Sequence, residues 1–242
     1  MGIALLEVNP RRRALLIAVG SLPVACIPAQ PYPSATPVAP PLPTPTIRPP
    51  QVGQEWVYAV RNVFNQELVD ILTERVVAVG DQVRIARSGQ KAGPLPDEIQ
   101  SPWGDIVQDP HWNPPQRFLK AVPLWPQQLQ AGWSGFYRTR YEVLGSPDFD
   151  YYWGLNINAI GWEQIKTPAG EFVVLKYVNE APFFTSNDFA RVANVREETV
   201  WLSPEIGRWV TRRSSGRYLW AGMTWASALW EDWYEWELIS WK

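Results

Sequence analysis

Cysteine and histidine are almost missing from this chain of 242 residues: Cys26 and His111 are the sole example of each. A single cysteine excludes an intrachain disulfide and leaves one thiol for any nucleophilic or metal chemistry. A zinc site built on one histidine would need carboxylates for its other ligands, an unusual set. A Ser-His-Asp triad would have to use His111, and no G-x-S-x-G motif is present. The phosphate-cradling patterns G-x-x-x-x-G-K-[ST] and G-x-G-x-x-G are also absent. These gaps argue against the common enzyme classes and against a bound cofactor. Positive charge is lacking too. The chain carries −2, and setting aside Glu7, Arg11, Arg12, Arg13 and Arg48 leaves −5 for residues 51–242. Such a domain is a poor partner for nucleic acid or for an anionic membrane surface. Finally, the apolar run Ala14 to Ala25 falls well short of the ~20 residues that span a bilayer.

That short run stands between Arg11-Arg12-Arg13 and Cys26, the order of a positive n-region, a hydrophobic core and a processing site. Leu22-Pro23-Val24-Ala25-Cys26 resembles the lipobox of bacterial lipoproteins. Val24 and Ala25 suit the positions before the cysteine, whereas Pro23 replaces the usual leucine. The resemblance implies a signal peptide over 1–25, a lipidated (palmitate-bearing) Cys26, export, and anchoring to a membrane of the cell envelope. Secretion without lipid, with Cys26 a bystander, is the alternative.

Residues 26–50 follow as a proline-rich tether. Ten prolines fall between Ile27 and Pro50, and Arg48 is the one charge. Proline fixes φ and lacks an N–H, so a disordered or extended polyproline II spacer is expected, reaching about 70 Å if fully extended. Ser34, Thr36, Thr44 and Thr46 also resemble an O-glycosylated stalk, although a plain spacer explains the composition.

Residues 51–242 read as a β domain. Trp56, Tyr58 and Val60 share a face at period 2, and Leu68 to Val79 leads through Gly80-Asp81 into Gln82 to Arg87. Thr167-Pro168-Ala169-Gly170 and Ser203-Pro204-Glu205-Ile206-Gly207-Arg208 are turns between β-branched and aromatic runs. Asp232 to Trp241 is a last strand with aromatics on both faces. Ser186 to Ala193 suits a short helix, and no window suits a long one. Gln90 to Gln127 carries eight prolines and reads as one long loop; its tryptophans predict that it is ordered and packed over a sheet. Gln54-Glu55-Trp56 and Gly132-Trp133 each open a strand, a faint echo compatible with two related halves, 51–127 and 128–242.

The motifs Gly53-x-x-Trp56-x-Tyr58, Pro168-Ala169-Gly170-x-Phe172 and Trp201-x-Ser203-Pro204-Glu205-x-Gly207-Arg208-x-Val210 resemble those of uncharacterised bacterial β-sheet lipoproteins. More distantly they are similar to the half-barrel of lipoprotein-carrier domains. The resemblance implies an all-β domain: a curved, mostly antiparallel sheet or half-barrel built of meanders. It brings no active site with it.

Aromatics are the abundance. Fifteen tryptophans, six of them between Trp220 and Trp241, exceed ordinary usage. Packing in the core explains most such residues; the candidates for a binding surface are Trp103, Trp112, Trp125, Trp233 and Trp236. Glu235 and Glu237 share a strand face, the one arrangement here that a glycoside hydrolase could use, and a solvated face is the plainer explanation. Arg212 or Arg213 should meet Glu198 across a hairpin. The expectation is a non-enzymatic, membrane-tethered envelope lipoprotein whose β domain binds a glycan, lipid or envelope protein through aromatic surface. A structural subunit of an envelope complex is the alternative, and a glycan-active hydrolase the third reading.

Overall fold

Alternating apolar and polar residues become strands along nearly the whole chain. The computed structural model describes residues 34–184, 190–231 and 233–242. Cys26 and the signal-type segment lie outside the described residues. The strands are β1 (Ala35–Pro37), β2 (Glu55–Asn62), β3 (Leu68–Val79), β4 (Val83–Gly89), β5 (Gly93–Gln100), β6 (Asp105–Asp109) and β7 (Gln116–Pro123). They continue with β8 (Ser134–Val143), β9 (Ser146–Thr167), β10 (Gly170–Phe183), β11 (Arg191–Ser203), β12 (Arg208–Trp220), β13 (Leu229–Trp230) and β14 (Tyr234–Trp241). All pairings are antiparallel.

The sheet is all-β and antiparallel as expected, but it is not an open half-barrel. β14 inserts between β12 and β2, and β8 pairs with β9, so twelve strands close a ring. Sequence periodicity identifies strands without saying which edges meet. Here the C-terminal strand returns to the first ring strand, and closure removes the edges that an open sheet would expose. Segments 51–127 and 128–242 supply adjacent arcs of this single ring.

Two further expectations are corrected. The stretch 90–127 is not one loop, because it contains β5, β6 and β7. Two of its prolines sit where a ladder tolerates them: Pro94 is one residue into β5, and Pro96 lies in the register shift between Leu95, which pairs with Arg87, and Glu98, which pairs with Ile85. Of the helix expected over 186–193, residues 191–193 open β11, and 186–189 lie outside the described residues.

A further correction concerns the tether. From Ala35 the proline-rich segment lies on the barrel. β1 pairs with Glu163–Ile165 of β9, beyond the point where β8 leaves that edge, and Val38 N–H donates to Trp162 O at 2.9 Å. Ala35, Val38 and Ile47 pack against the core. Arg48 N–H donates to Pro204 O at 2.9 Å, and its guanidinium lies 5.6 Å from the Trp241 ring. Proline is excluded from ladders only where its N–H is needed. Val38 supplies an N–H to β9, while Pro37 beside it, which has none to give, keeps the backbone extended. Gly207 makes the fit possible. It takes φ +66, and a Cβ there would stand 2.6 Å from Arg48 O.

The register defines two ends. At the base lie the turns 80–82, 101–104, 124–133 and 204–207, with residues 44–48 against the last two. At the other end lie the turns after β2, β4, β6, β8, β10 and β12, where the cavity described next is found.

Candidate functional site

An eight-stranded barrel is just wide enough for side chains to fill; twelve strands leave a wider lumen that demands larger ones. Tryptophan and arginine meet that demand. Trp56, Trp112, Trp125, Trp153, Trp162, Trp201, Trp209 and Trp236 are all buried, and so is Arg208.

Inside the ring four carboxylates face four guanidiniums. Glu74 sits between Leu72 and Val76 on the inner face of β3, and Arg87 follows Val83 and Ile85 on that of β4. β5 gives Glu98, β6 gives Asp109, β11 gives Arg196 and Glu198, and β12 gives Arg208 and Arg212. Arg208 is the hub. Its Nη1 and Nη2 donate to the two oxygens of Glu98 at 2.8 and 2.7 Å, while Nε and Nη2 donate to Glu74 Oε2 at 3.0 and 2.6 Å. Glu74 Oε1 accepts from Arg87 at 3.2 Å. Gln100 Nε2 donates to Glu98 Oε1 at 2.6 Å.

His111 bridges the carboxylates. Its Nε2 is 3.1 Å from Glu74 and its Nδ1 2.9 Å from Asp109, whose other oxygen accepts the Trp112 indole N–H at 2.8 Å. Glu198 accepts from Arg212 at 2.6 Å and is ion-paired with Arg196 at 3.0 Å. Arg196 also donates to His111 O and to Ser214 Oγ, at 3.2 Å each, and its guanidinium lies 4.4 Å from the Trp112 ring.

Charges removed from water survive only with this degree of pairing. Burial opposes ionisation of Glu74, yet Arg208, His111 and Arg87 outweigh it and hold the carboxyl well below its ordinary range. Asp109 is lowered against the same penalty by His111 and Arg212, and Glu198 by Arg212 and Arg196. Burial dominates at Arg196 and weakens its hold on the proton, whereas at Arg208 and Arg212 the carboxylates overcome burial and strengthen it. Burial raises the Tyr58 and Tyr177 hydroxyls; both instead donate to main-chain carbonyls, of Trp209 at 2.9 Å and Leu124 at 2.7 Å.

The network reaches a cavity of about 580 Å³ through His111 and Arg196. Its wall mixes aromatic groups (Trp112, Tyr141, Phe183, Trp236) with His111, Asn113, Gln116, Arg196, Ser214, Ser215 and Glu231. Gln116 is buried with its Oε1 unpartnered, so one acceptor at this wall lacks a mate. The size matches small-ligand sites, which combine apolar walls with a few placed polar groups. Among the described residues no group of three or more His, Cys, Asp or Glu is placed to hold a metal ion.

The structure divides the tryptophans singled out from sequence. Trp112 and Trp236 meet at the cavity wall, both 8 % exposed. Trp103 and Trp125 pack edge to face at the base, 5.3 Å apart, and do not join them. Trp233 lies near the cavity end, stacked on Phe64 at 5.1 Å. The exposed indoles are others: Trp220, Trp225 and Trp230. Glu235 and Glu237 lie on the outer wall, Glu235 ion-paired with Arg213, away from the cavity. The expected pairing of Glu198 with Arg212 is present, but inside the barrel. Glu74, Arg87, Glu98 and Asp109 are not among the residues that the sequence nominates. The available signal was parity: in Leu72-x-Glu74-x-Val76 and Val83-x-Ile85-x-Arg87 a charge occupies the apolar register.

No protein-family model matches the chain, and no curated protein matches it. Two solved structures share its fold. A protein of Parabacteroides distasonis designated a lipoprotein aligns at TM-score 0.53 and 12% identity, covering 82% of this chain and 99% of its own. A Bacteroides fragilis protein designated exported, with a YmcC-like fold, aligns at TM-score 0.53 and 14% identity over the same shares. The fold of residues 34–242 is thus one shared with proteins designated as lipoprotein and exported protein.

Proposed function

We propose that this chain is an exported lipoprotein, anchored to an envelope membrane by lipid on Cys26, whose barrel binds a small polar ligand without transforming it. The cavity of about 580 Å³ carries this reading. Its aromatic faces suit the flat apolar side of a ligand, and its amide, hydroxyl and charged groups suit a hydrogen-bonding edge. A sugar residue has both features.

The outer wall supports an aqueous rather than lipid-embedded barrel. Arg75 with Glu55, Arg84 with Asp97, Arg140 with Asp150 and Lys166 with Glu171 form ion pairs on it. A charge on a lipid-facing strand costs about 2–4 kcal/mol at mid-bilayer. Among the described residues no helix is long and apolar enough to cross a membrane. The lipid then supplies the membrane contact.

The non-enzymatic reading rests on occupied acids. Glu74, Glu98 and Glu198 are engaged by guanidinium groups, Asp109 by His111 and the Trp112 indole, and Glu235 and Glu237 face away from the cavity. A second reading, a structural subunit of an envelope complex, is favoured by the exposed indoles Trp220, Trp225 and Trp230.

Two experiments test the proposal. Mass spectrometry of the mature N-terminus should find a lipid-modified Cys26; an unmodified peptide beginning beyond it refutes the anchor. The mature chain on glycan and lipid arrays should retain a polar ligand that Trp236→Ala weakens at least tenfold. A stable oligomer with no array binding favours the structural reading instead.

A further inference from the structure

The cavity shares its rim with indoles that the barrel does not bury. In the segment joining β12 to β14, Trp220, Trp225 and Trp230 are 45%, 46% and 54% exposed. Met223 and Phe64 are exposed beside them, at 36% and 59%. Clustered large apolar groups at one end of a barrel mark a contact surface, unlike scattered ones.

Two features limit what this surface can take. Its rings are held in place. The Arg217 guanidinium lies 6.0 Å from the Trp225 ring and 5.5 Å from that of Trp230, and Arg217 is ion-paired with Glu197. Trp230 meets Trp233 edge to face at 5.6 Å, and Trp233 in turn stacks on Phe64. Faces fixed in this way lose little freedom on binding. The nearby charges are also paired: Arg217 with Glu197, and Arg191 with Glu231 at 2.7 Å. An uncharged partner is favoured over an anionic or cationic one.

The surface is continuous with the cavity. Gly216 and Glu231 line the cavity wall, and each is the chain neighbour of a rim residue, Arg217 and Trp230. One ligand entering the cavity therefore passes the indoles. A bilayer would meet the rim but has nothing to place among Asn113, Gln116, Ser214 and Ser215. A flat protein surface would leave the cavity empty.

We propose that cavity and rim form one extended site for an uncharged oligosaccharide, with one unit in the cavity and the next units stacked along Trp230 and Trp225. The C–H face of a sugar ring carries partial positive charge, which complements the negative face of an indole. The hydroxyls at the ring edge meet the amide and hydroxyl groups of the cavity wall. This inference rests on the cavity reading proposed above and adds the chain-like nature of the ligand.

The test is an array of oligosaccharides of defined length probed with the mature chain, followed by calorimetry on the best binder and its shorter members. Affinity should rise about tenfold for each ring that gains an indole to stack on. Trp225→Ala and Trp230→Ala should abolish that rise while leaving the affinity for the shortest binder and the Tm unchanged. Trp236→Ala should weaken every length. Affinity independent of length, or rim variants equal to the wild type on the longest member, overturns the extended site and leaves the cavity reading standing. If no oligosaccharide is retained, both fall. If the rim variants instead abolish binding to phosphatidylcholine vesicles or to a stoichiometric protein partner, the rim belongs to that partner and the inference is wrong.

Discussion

The two ends of the barrel are built from the same residue types and do opposite things with them. At the base, Trp103 and Trp125 face each other, residues 44–48 lie against two of the turns, and Gly207 lets the Arg48 carbonyl approach where a side chain would collide. At the cavity end, Trp112 and Trp236 line a space of about 580 Å³, and Trp220, Trp225 and Trp230 project beyond it. An aromatic covered on every side is structure; one with a face turned to the cavity or to solvent is available. The buried ion network separates the two ends, and both depend on it.

The largest expected effect comes from that network. Arg208→Met leaves Glu74 and Glu98 facing each other in a dry interior, and removing one partner of such a set costs about 3–5 kcal/mol. Thermal unfolding should show a lowered Tm, and adding Glu74→Gln and Glu98→Gln should recover part of the loss. A variant as stable as the wild type would remove the network from the account of the fold.

The same groups set a pH dependence. Glu74, Asp109 and Glu198 have folded pKa values below their unfolded ones. Their contribution is therefore present above the unfolded carboxylate range, near pH 4–4.5, and is lost as pH falls below it. Tyr58 and Tyr177 are shifted upward, so their contribution is complete below about pH 10 and is lost as pH rises past it. Denaturant titrations from pH 7 down to 3 should show a falling midpoint; a flat profile contradicts the carboxylate directions.

Much of this architecture was legible in sequence and the site was not. Trp56, Tyr58 and Val60 announced a strand by period 2, and Pro204 with Gly207 announced a turn, because local sterics decide both. Closure of the ring depends on which distant edges meet, as when β14 finds β2, and no local pattern encodes that. The base was misjudged because proline count obscured the few N–H groups that pair Ala35–Val38 with β9. The network is not legible because Glu74 and Arg87 find their partners only once distant strands are brought together, although each sits in an otherwise apolar register. Nothing in the sequence separates Trp112 and Trp236, which line the cavity, from Trp103 and Trp125, which pack at the base.

The comparison of ends sharpens with smaller perturbations. Gly207→Ala combines an unfavourable φ with a clash against Arg48 O and should cost about 1–3 kcal/mol, with no loss of ligand binding. Trp125→Ala should likewise lower the Tm and spare binding, in contrast to Trp236→Ala. The smallest effect belongs to the outer wall: Arg75→Met, which removes an exposed ion pair with Glu55, should change stability by less than about 1 kcal/mol. If Trp125→Ala abolished binding while Trp236→Ala did not, the assignment of the two ends would be reversed.

Hydrogen–deuterium exchange of the mature chain, with and without the tightest oligosaccharide from the array, tests the central claim most directly. Protection is predicted at residues 111–116, 214–217 and 230–236, with no change at 44–48, 124–130 or 204–207. Protection confined to those base segments, or absent from the cavity wall, would contradict it.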